Sequence, residues 1–253
     1  MNLKNSDDKI SLYGFNNLTK NLSFSLYKLH YLADADSQDL YNQYISDHFN
    51  ANKLKEILSG ISDVIGGNIL SIAQQDYQPQ GASVTLMISE EIQPQSLVAH
   101  LDKSHLCVHT YPEDKPKNGI AVFRADIELS TCGVISPLKV INSLIEAFDV
   151  DIAEIDFRIR GMTRNHLGNM LFNDGEINNI SDFLSEDIFD SYQLEETNSP
   201  KLKLYHTRLI RKDIHIDNCV FKTPTLIIPE ADHQKITDDI KSQLQQIFFN
   251  HAD

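Results

Sequence analysis

The chain has 253 residues, 41% of them apolar and 23% charged, an ordinary composition for a globular protein with ample core. Its 22 basic and 36 acidic residues leave a net charge of −14, which argues against a general nucleic-acid binder, because that function needs a basic face. Three scattered cysteines (Cys107, Cys132, Cys219) make no disulfide framework, and neither a signal-peptide core nor a run of ~18 apolar residues is present, so a cytoplasmic protein with no membrane partner is expected.

Apolar residues at Leu54, Ile57, Leu58, Ile61, Val64 and Ile65 predict an amphipathic helix ended by Gly66-Gly67. A strand from Ile69 to Ala73 leads into a Gln78-Pro79-Gln80-Gly81 turn, and Ser83 to Ser89 follows with Val84, Leu86 and Ile88 on one face. A polar loop spans 90–96. Ile120 to Leu129 reads as strand with a break near Arg124-Ala125. Ser136 then reads as an N-cap with Pro137 in the first helical position, and Leu138, Ile141, Leu144, Ile145 and Phe148 supply a buried stripe. Ile155, Phe157 and Ile159 alternate with Asp156, Arg158 and Arg160 in another half-exposed strand. The last third offers a helical stretch around 178–190, a strand around 203–210 and a helix near 234–249, marked by Ile236, Ile240, Leu244 and Ile247. Strands interleaved with helices at hairpin-length spacing predict a single α+β domain over 1–253, an antiparallel sheet covered by helices on one side.

The densest chemistry lies between His100 and Glu113, where three histidines, an aspartate, a lysine, a serine and a cysteine share fourteen positions. Leu106 and Val108 alternate with His105, Cys107 and His109, so a half-buried strand carries reactive side chains on one face. Three chemistries compete for it. His100, Asp102, His105, Cys107 and His109 are all metal-ligand types, although no CxxC or HExxH spacing accompanies them. Cys132, before Gly133 at a strand-to-helix junction, suits an exposed thiol, while a lone intracellular cysteine is more often a small buried hydrophobe; Cys107 and Cys219 take that plainer reading more firmly. Ser104 could attack the carbonyl of Lys103 and convert the amide to an ester. Spacing alone leaves all three open.

The run Ala-His-Leu-Asp-Lys-Ser-His-Leu-Cys-Val-His-Thr-Tyr-Pro-Glu (99–113), with Phe-Arg-Ala-Asp-Ile-Glu-Leu-Ser-Thr-Cys-Gly-Val-Ile-Ser-Pro-Leu-Lys (123–139), closely resembles the pyruvoyl-dependent S-adenosylmethionine decarboxylase proenzymes of enterobacterial type. Gly-Phe-Asn-Asn-Leu-Thr-Lys (14–20) and Gln-Asp-Tyr-Gln-Pro-Gln-Gly-Ala-Ser-Val (75–84) resemble the same family, and the likeness thins beyond about residue 165. The loop from Ser89 to His100 departs from that form by being shorter.

The resemblance implies a two-layer α/β sandwich and autocleavage between Lys103 and Ser104, giving a β chain 1–103 and an α chain 104–253. Ser104 becomes a pyruvoyl group, a ketone beside an amide carbonyl that can form a Schiff base with an amino acid and accept the electrons released with carbon dioxide. His109 matches the processing base, Cys132 the proton donor, and Ser83 a serine that assists processing in shorter relatives. Tyr77 matches an adenine-stacking aromatic, Tyr111 a second aromatic at the site, and Glu113 a carboxylate for ribose hydroxyls. Read plainly, these three are a turn aromatic, a strand-end aromatic and a surface charge. S-adenosylmethionine as substrate, spermidine synthesis as the purpose, a homo-oligomer of αβ units and Mg²⁺ activation complete what the likeness implies. A pyruvoyl decarboxylase of arginine or ornithine, and an unprocessed binding protein, are the competing readings. Ser104 and His109 stand five positions apart, so a regular strand points them to opposite faces. A bend or bulge near 103–105 must re-aim Ser104 if both act on one bond.

Overall fold

The strand from Thr19 to Tyr31, here β1, is the spine of the molecule: it pairs antiparallel with both Ile120–Cys132 (β5) and Ile152–Arg160 (β6). The computed structural model describes residues 16–89, 104–116, 118–132, 135–173, 175–221 and 228–251. Outward from β5 come Ser104–Pro112 (β4), Ala82–Ser89 (β3) and Asn68–Asp76 (β2). Beyond β6 come Leu204–Arg211 (β10) and Tyr192–Ser199 (β9), giving an eight-stranded antiparallel sheet in the order β2-β3-β4-β5-β1-β6-β10-β9. A two-stranded hairpin, Thr163–Arg164 (β7) with Met170–Leu171 (β8), hangs from the end of β6. This is the expected α+β architecture, an antiparallel sheet backed by helices.

The pleat sends alternate residues of each strand to opposite faces. Leu22, Phe24 and Leu26 of β1, Val84, Leu86 and Ile88 of β3, Leu106 and Val108 of β4, and Ile127 and Leu129 of β5 share one core with the helices Ala35–His48 (α1), Ala51–Ile65 (α2) and Ile141–Phe148 (α3). Local chemistry places α1 and α2. Asp34 and Ser37 cap the start of α1 reciprocally, and Asn50 caps α2 by accepting from the Lys53 amide at 3.0 Å. Gly66, in the left-handed region at φ 75°, ends α2 and lets the chain turn into β2.

Several expectations need correction. β5 runs unbroken through Arg124-Ala125. Pro137–Val140 is a 3₁₀ turn rather than the start of α3, and Ser136 makes no capping bond. The helix around 178–190 is a 3₁₀ turn at Ser181–Phe183 followed by the short α4, Glu186–Ser191. After the short α5 (Ile216–Cys219), the last helix, Glu230–Phe249 (α6), packs on the other face of the sheet. There Ile236, Ile240, Leu244 and Phe248 meet Leu29, Ile120 and Ile152 in a second core. The remainder of that face, toward β2–β5, carries polar side chains, and we call it the open face. No helix among the described residues is long and apolar enough to cross a membrane.

Candidate active site

The register of three neighbouring strands fixes where each candidate residue lies. Along β4, Ser104, Leu106, Val108 and Thr110 face the helices, while His105, Cys107, His109 and Tyr111 face the other way, as the alternation predicts. Ser83 of β3 stands directly opposite His109, and Asp126 of β5 stands opposite it on the other side. Ser83, His109 and Asp126 therefore form one row across the open face, and Ser25 extends it by donating to Asp126 at 3.0 Å. Tyr111 pairs with Arg124, whose guanidinium lies 4.8 Å from the tyrosine ring centre and bonds Asp126.

Tyr77 belongs to this end of the sheet. Its hydroxyl donates to Ser83 Oγ at 2.7 Å, and its turn is closed by the Tyr77 amide on the Gly81 carbonyl at 2.8 Å. Gly81 has φ 103°, and a Cβ there would stand 2.8 Å from the Thr110 carbonyl oxygen, so only glycine fits between turn and strand. Asp76 anchors the turn from below, accepting from the Ala51 amide at the start of α2 at 2.7 Å. Glu113, just past β4, accepts from the Val122 amide at 3.1 Å, which holds its carboxylate against the β4–β5 connection.

Ser104 and Cys132 occupy the opposite end. Ser104 opens β4 and is buried, with 5% of its surface exposed. The Cys132 amide donates to Ser104 Oγ at 3.1 Å, so the serine hydroxyl and the cysteine backbone are adjacent at the strand ends. Lys103 lies outside the described residues, as do His100, Asp102 and residues 90–99 before them.

β4 is regular from Ser104 onward, with no register shift against β3 or β5. The bulge needed to turn Ser104 toward His109 is not in the described strand. Five residues of extended chain separate the two by about 16 Å, and they point to opposite faces. The site residues thus form two groups: Ser104 with Cys132, and Tyr77, Ser83, His109, Tyr111 and Glu113 together.

Among the described residues no group of three or more His, Cys, Asp or Glu could hold a metal ion, which leaves the metal reading of His105, Cys107 and His109 without a site there. Burial raises the Cys107 thiol above its usual pKa, with the Glu128 carboxylate adding to the effect, so this cysteine is a poor nucleophile. Cys219 is buried and pushed up to about 11 by desolvation. Sequence reasoning passed over Arg124 and Asp126. Their signal was the alternation of Arg124, Asp126 and Glu128 with apolar residues, which marks one polar face of β5.

A family model described as S-adenosylmethionine decarboxylase matches residues 35–161, a span that holds every candidate site residue. The chain is 46% identical over 255 aligned positions to an S-adenosylmethionine decarboxylase proenzyme of Salmonella arizonae, covering 95% of this chain and 97% of that one. It is 45% identical, at the same coverage, to the corresponding proenzyme of Pectobacterium atrosepticum. Both alignments run well past residue 165, where the likeness was expected to thin. Among solved structures, an adenosylmethionine decarboxylase of Aquifex aeolicus VF5 is similar at 14% identity and a TM-score of 0.35, over 65% of this chain and all of that one; a likeness this weak carries no argument.

Proposed function

Because the chain belongs to the S-adenosylmethionine decarboxylase family, we propose that it cuts itself between Lys103 and Ser104 and decarboxylates its substrate at the group formed from Ser104. The reaction takes S-adenosylmethionine to carbon dioxide and the aminopropyl donor of spermidine biosynthesis. The 1–253 domain thereby becomes a β chain 1–103 and an α chain 104–253. The observation that supports this reading best is the 3.1 Å contact of the Cys132 amide with Ser104 Oγ, since it sets the residue to be converted beside the backbone of the cysteine proposed as proton donor. A pyruvoyl group at position 104 fits the strand end, where a carbonyl can accept the Cys132 N–H that now meets the hydroxyl. Its chemistry, once formed, is that of an electron sink for the departing carboxylate.

The chain's own residues divide the remaining work. Ser104 Oγ adds to the preceding carbonyl, and collapse breaks the C–N bond to leave an ester. His109 removes the α-proton of residue 104 so that the ester carboxylate leaves by β-elimination, with Ser83 assisting. The Cys132 thiol returns a proton to the decarboxylated carbon. Tyr77 and Tyr111 offer ring faces to the fixed sulfonium cation and the adenine, and Glu113 offers a carboxylate to the ribose. Arginine and ornithine contain neither sulfonium nor nucleoside, which disfavours them as substrates.

His109 cannot reach residue 104 within one copy, about 16 Å along a straight strand. The reading therefore includes a homo-oligomer in which the open face of a second copy brings its Tyr77–Ser83–His109 end to the Ser104–Cys132 end of the first. Mg²⁺ activation is part of the proposal on the family likeness alone. The deciding experiment is a denaturing mass measurement with an assay of ¹⁴CO₂ released from carboxyl-labelled S-adenosylmethionine. Two chains with masses of 1–103 and 104–253, the larger resistant to Edman sequencing, are expected, and Ser104→Ala should stay whole. A wild-type chain that remains intact after long incubation sinks the reading, and label released only from arginine or ornithine overturns the substrate.

A further inference from the structure

We propose that the edge strand β2 is an interface at which two copies of this chain join their sheets, separate from the open-face pairing of the proposed function and not resting on it. Among the described residues β2 pairs with β3 alone, so it ends the eight-stranded sheet and turns one row of backbone N–H and C=O groups outward. Such a row is a template for a further strand. Proteins that stay single blunt it with lysine, proline, a bulge or a covering element.

β2 has little of that protection. Its sequence, Asn-Ile-Leu-Ser-Ile-Ala-Gln-Gln-Asp, holds no lysine, arginine or proline. A bulge between Ile69 and Ser71 disturbs its first end only, and from Ser71 to Asp76 the pairing with β3 is regular. Every residue of that regular stretch is exposed. The opposite edge of the sheet is different. There β9 carries Glu195 and Glu196 in succession, and the Ser181 hydroxyl ties Glu196 to the preceding segment at 2.9 Å. Charge guards β9 and leaves β2 bare.

The charge pattern points to a second copy as the occupant. From Val64 to Ser89 the only charged side chain is Asp76, and its carboxylate accepts from the Ala51 amide at 2.7 Å. Two chains of net charge −14 repel one another over most of their surface, and this neutral stretch lets them meet with least repulsion. Apolar side chains flank the edge as well: Ile69 and Ile72 of β2 are 36% and 42% exposed, and Val64 of α2 is 50% exposed. Ile72 stands opposite Leu86 and so faces the helix side, where Gln74 also reaches Asn52 of α2 at 2.9 Å. An antiparallel β2–β2 pair about a two-fold axis near residues 73–74 sets Ile72 of one copy close to the same apolar strip of the other, the self-complementary contact that such symmetry requires. That axis is perpendicular to the sheet. Both open faces then lie on the same side of the widened sheet and stay accessible.

The test measures the native mass of the full-length protein by light scattering after gel filtration, for wild type and two double variants. Ile72→Lys with Gln74→Lys, and Ile72→Glu with Gln74→Glu, gather like charges about the axis on the helix side and leave the open face unaltered. Each variant alone should show half the wild-type mass at the same concentration. Mixed in equal amounts, the two should return to the wild-type mass, because lysines of one copy then meet glutamates of the other. A variant that merely misfolds is not restored by mixing. A wild type that runs as a single copy, a variant that keeps the wild-type mass, or a mixture that stays at half mass overturns the proposal. Chain cleavage before Ser104 should proceed in both variants as in wild type; cleavage lost with the halved mass and regained on mixing would make the two pairings one interface, which overturns their separation. A wild-type chain that never cleaves overturns the processing reading alone, since the mass is read without it.

Discussion

The two ends of the open sheet hold their candidate residues in opposite ways. At one end Ser104 and Cys132 stand at strand termini, the serine side chain turned in under the helices and its hydroxyl fixed by a backbone amide. At the other, Tyr77, Ser83, His109 and Tyr111 project from well-paired strands onto the open face, with Asp126 and Arg124 beside them. The first end can supply a nucleophile and the second a base and ring faces, but strand geometry keeps them apart within a copy. On the proposed reading, a second copy completes each of these two half-sites.

The largest expected effect tests that separation directly. Ser104→Ala and His109→Ala chains, each inactive alone, should give cleaved His109→Ala chains and measurable decarboxylation when co-expressed, because an intact Ser104 end then meets an intact His109 end. Gels distinguish the chains if one carries a mass tag. No cleavage in a mixed oligomer of proven composition would mean that His109 works within its own chain, through a rearrangement of β4.

Next in size is Cys132→Ala. If the Ser104 end performs protonation as well as processing, this variant should still form two chains, at full or reduced rate. It should lose turnover by about 10²-fold or more, the usual scale for removing a positioned general acid. The backbone amide that meets Ser104 survives the substitution, which is why processing and turnover should part. Near-normal turnover would return Cys132 to the plain reading of a small buried side chain.

What the sequence disclosed follows from the same contrast. Alternation in Leu106-Cys107-Val108-His109 identified β4 and its two faces correctly, and the period of two already placed Ser104 and His109 on opposite sides. The compensating bulge is absent from the described part of β4, which pairs without a register shift on both sides. β1 was missed although Leu22, Phe24 and Leu26 alternate, because Lys20, Lys28 and His30 occupy its remaining core positions and mimic a polar segment. β9 gave no signal: it is an edge strand whose Gln193, Glu195, Glu196, Thr197 and Asn198 leave mainly Tyr192 to pack. The periodicity of α6 located its buried stripe but could not say which face of the sheet it meets. Arg124 and Asp126 became visible as neighbours of Tyr111 and His109 only through register, which no single strand encodes.

A smaller effect concerns what supports the second end. His30 is buried among Tyr41, Tyr44 and Phe221, with ring centres 5.2–5.4 Å away, and burial lowers its pKa from 6.5 to about 3. In the unfolded chain it takes up a proton near pH 6.5, whereas the folded chain does not until near pH 3. The unfolded state thus binds more protons in that window, and stability is lost as pH falls below about 6.5, by about 1.4 kcal/mol per unit at most. Tm measured from pH 7.5 to 5.5 should fall less steeply in His30→Phe, which keeps an aromatic ring, than in wild type. Parallel slopes would place the acid sensitivity elsewhere.

The smallest expected effect separates two roles within one side chain. Tyr77 holds Ser83 through its hydroxyl and presents its ring to the open face of the turn. Tyr77→Phe deletes only the hydrogen bond, worth about 0.5–1.5 kcal/mol net. If Ser83 assists processing, the loss should appear as slower chain cleavage, by a few-fold to about tenfold, with KM for S-adenosylmethionine little changed. Tyr77→Leu deletes the bond and the ring, so it should show the same processing defect and in addition raise KM by about fivefold, equivalent to about 1 kcal/mol of lost stacking and cation–π attraction. The difference between the variants isolates the ring, and their common defect isolates the hydroxyl. An unchanged KM in Tyr77→Leu would remove Tyr77 from the substrate and leave it as the residue that orients Ser83. Unchanged cleavage in both variants would instead show that Ser83 needs no such orientation, and the His109 end would then serve the substrate more than the scissile bond.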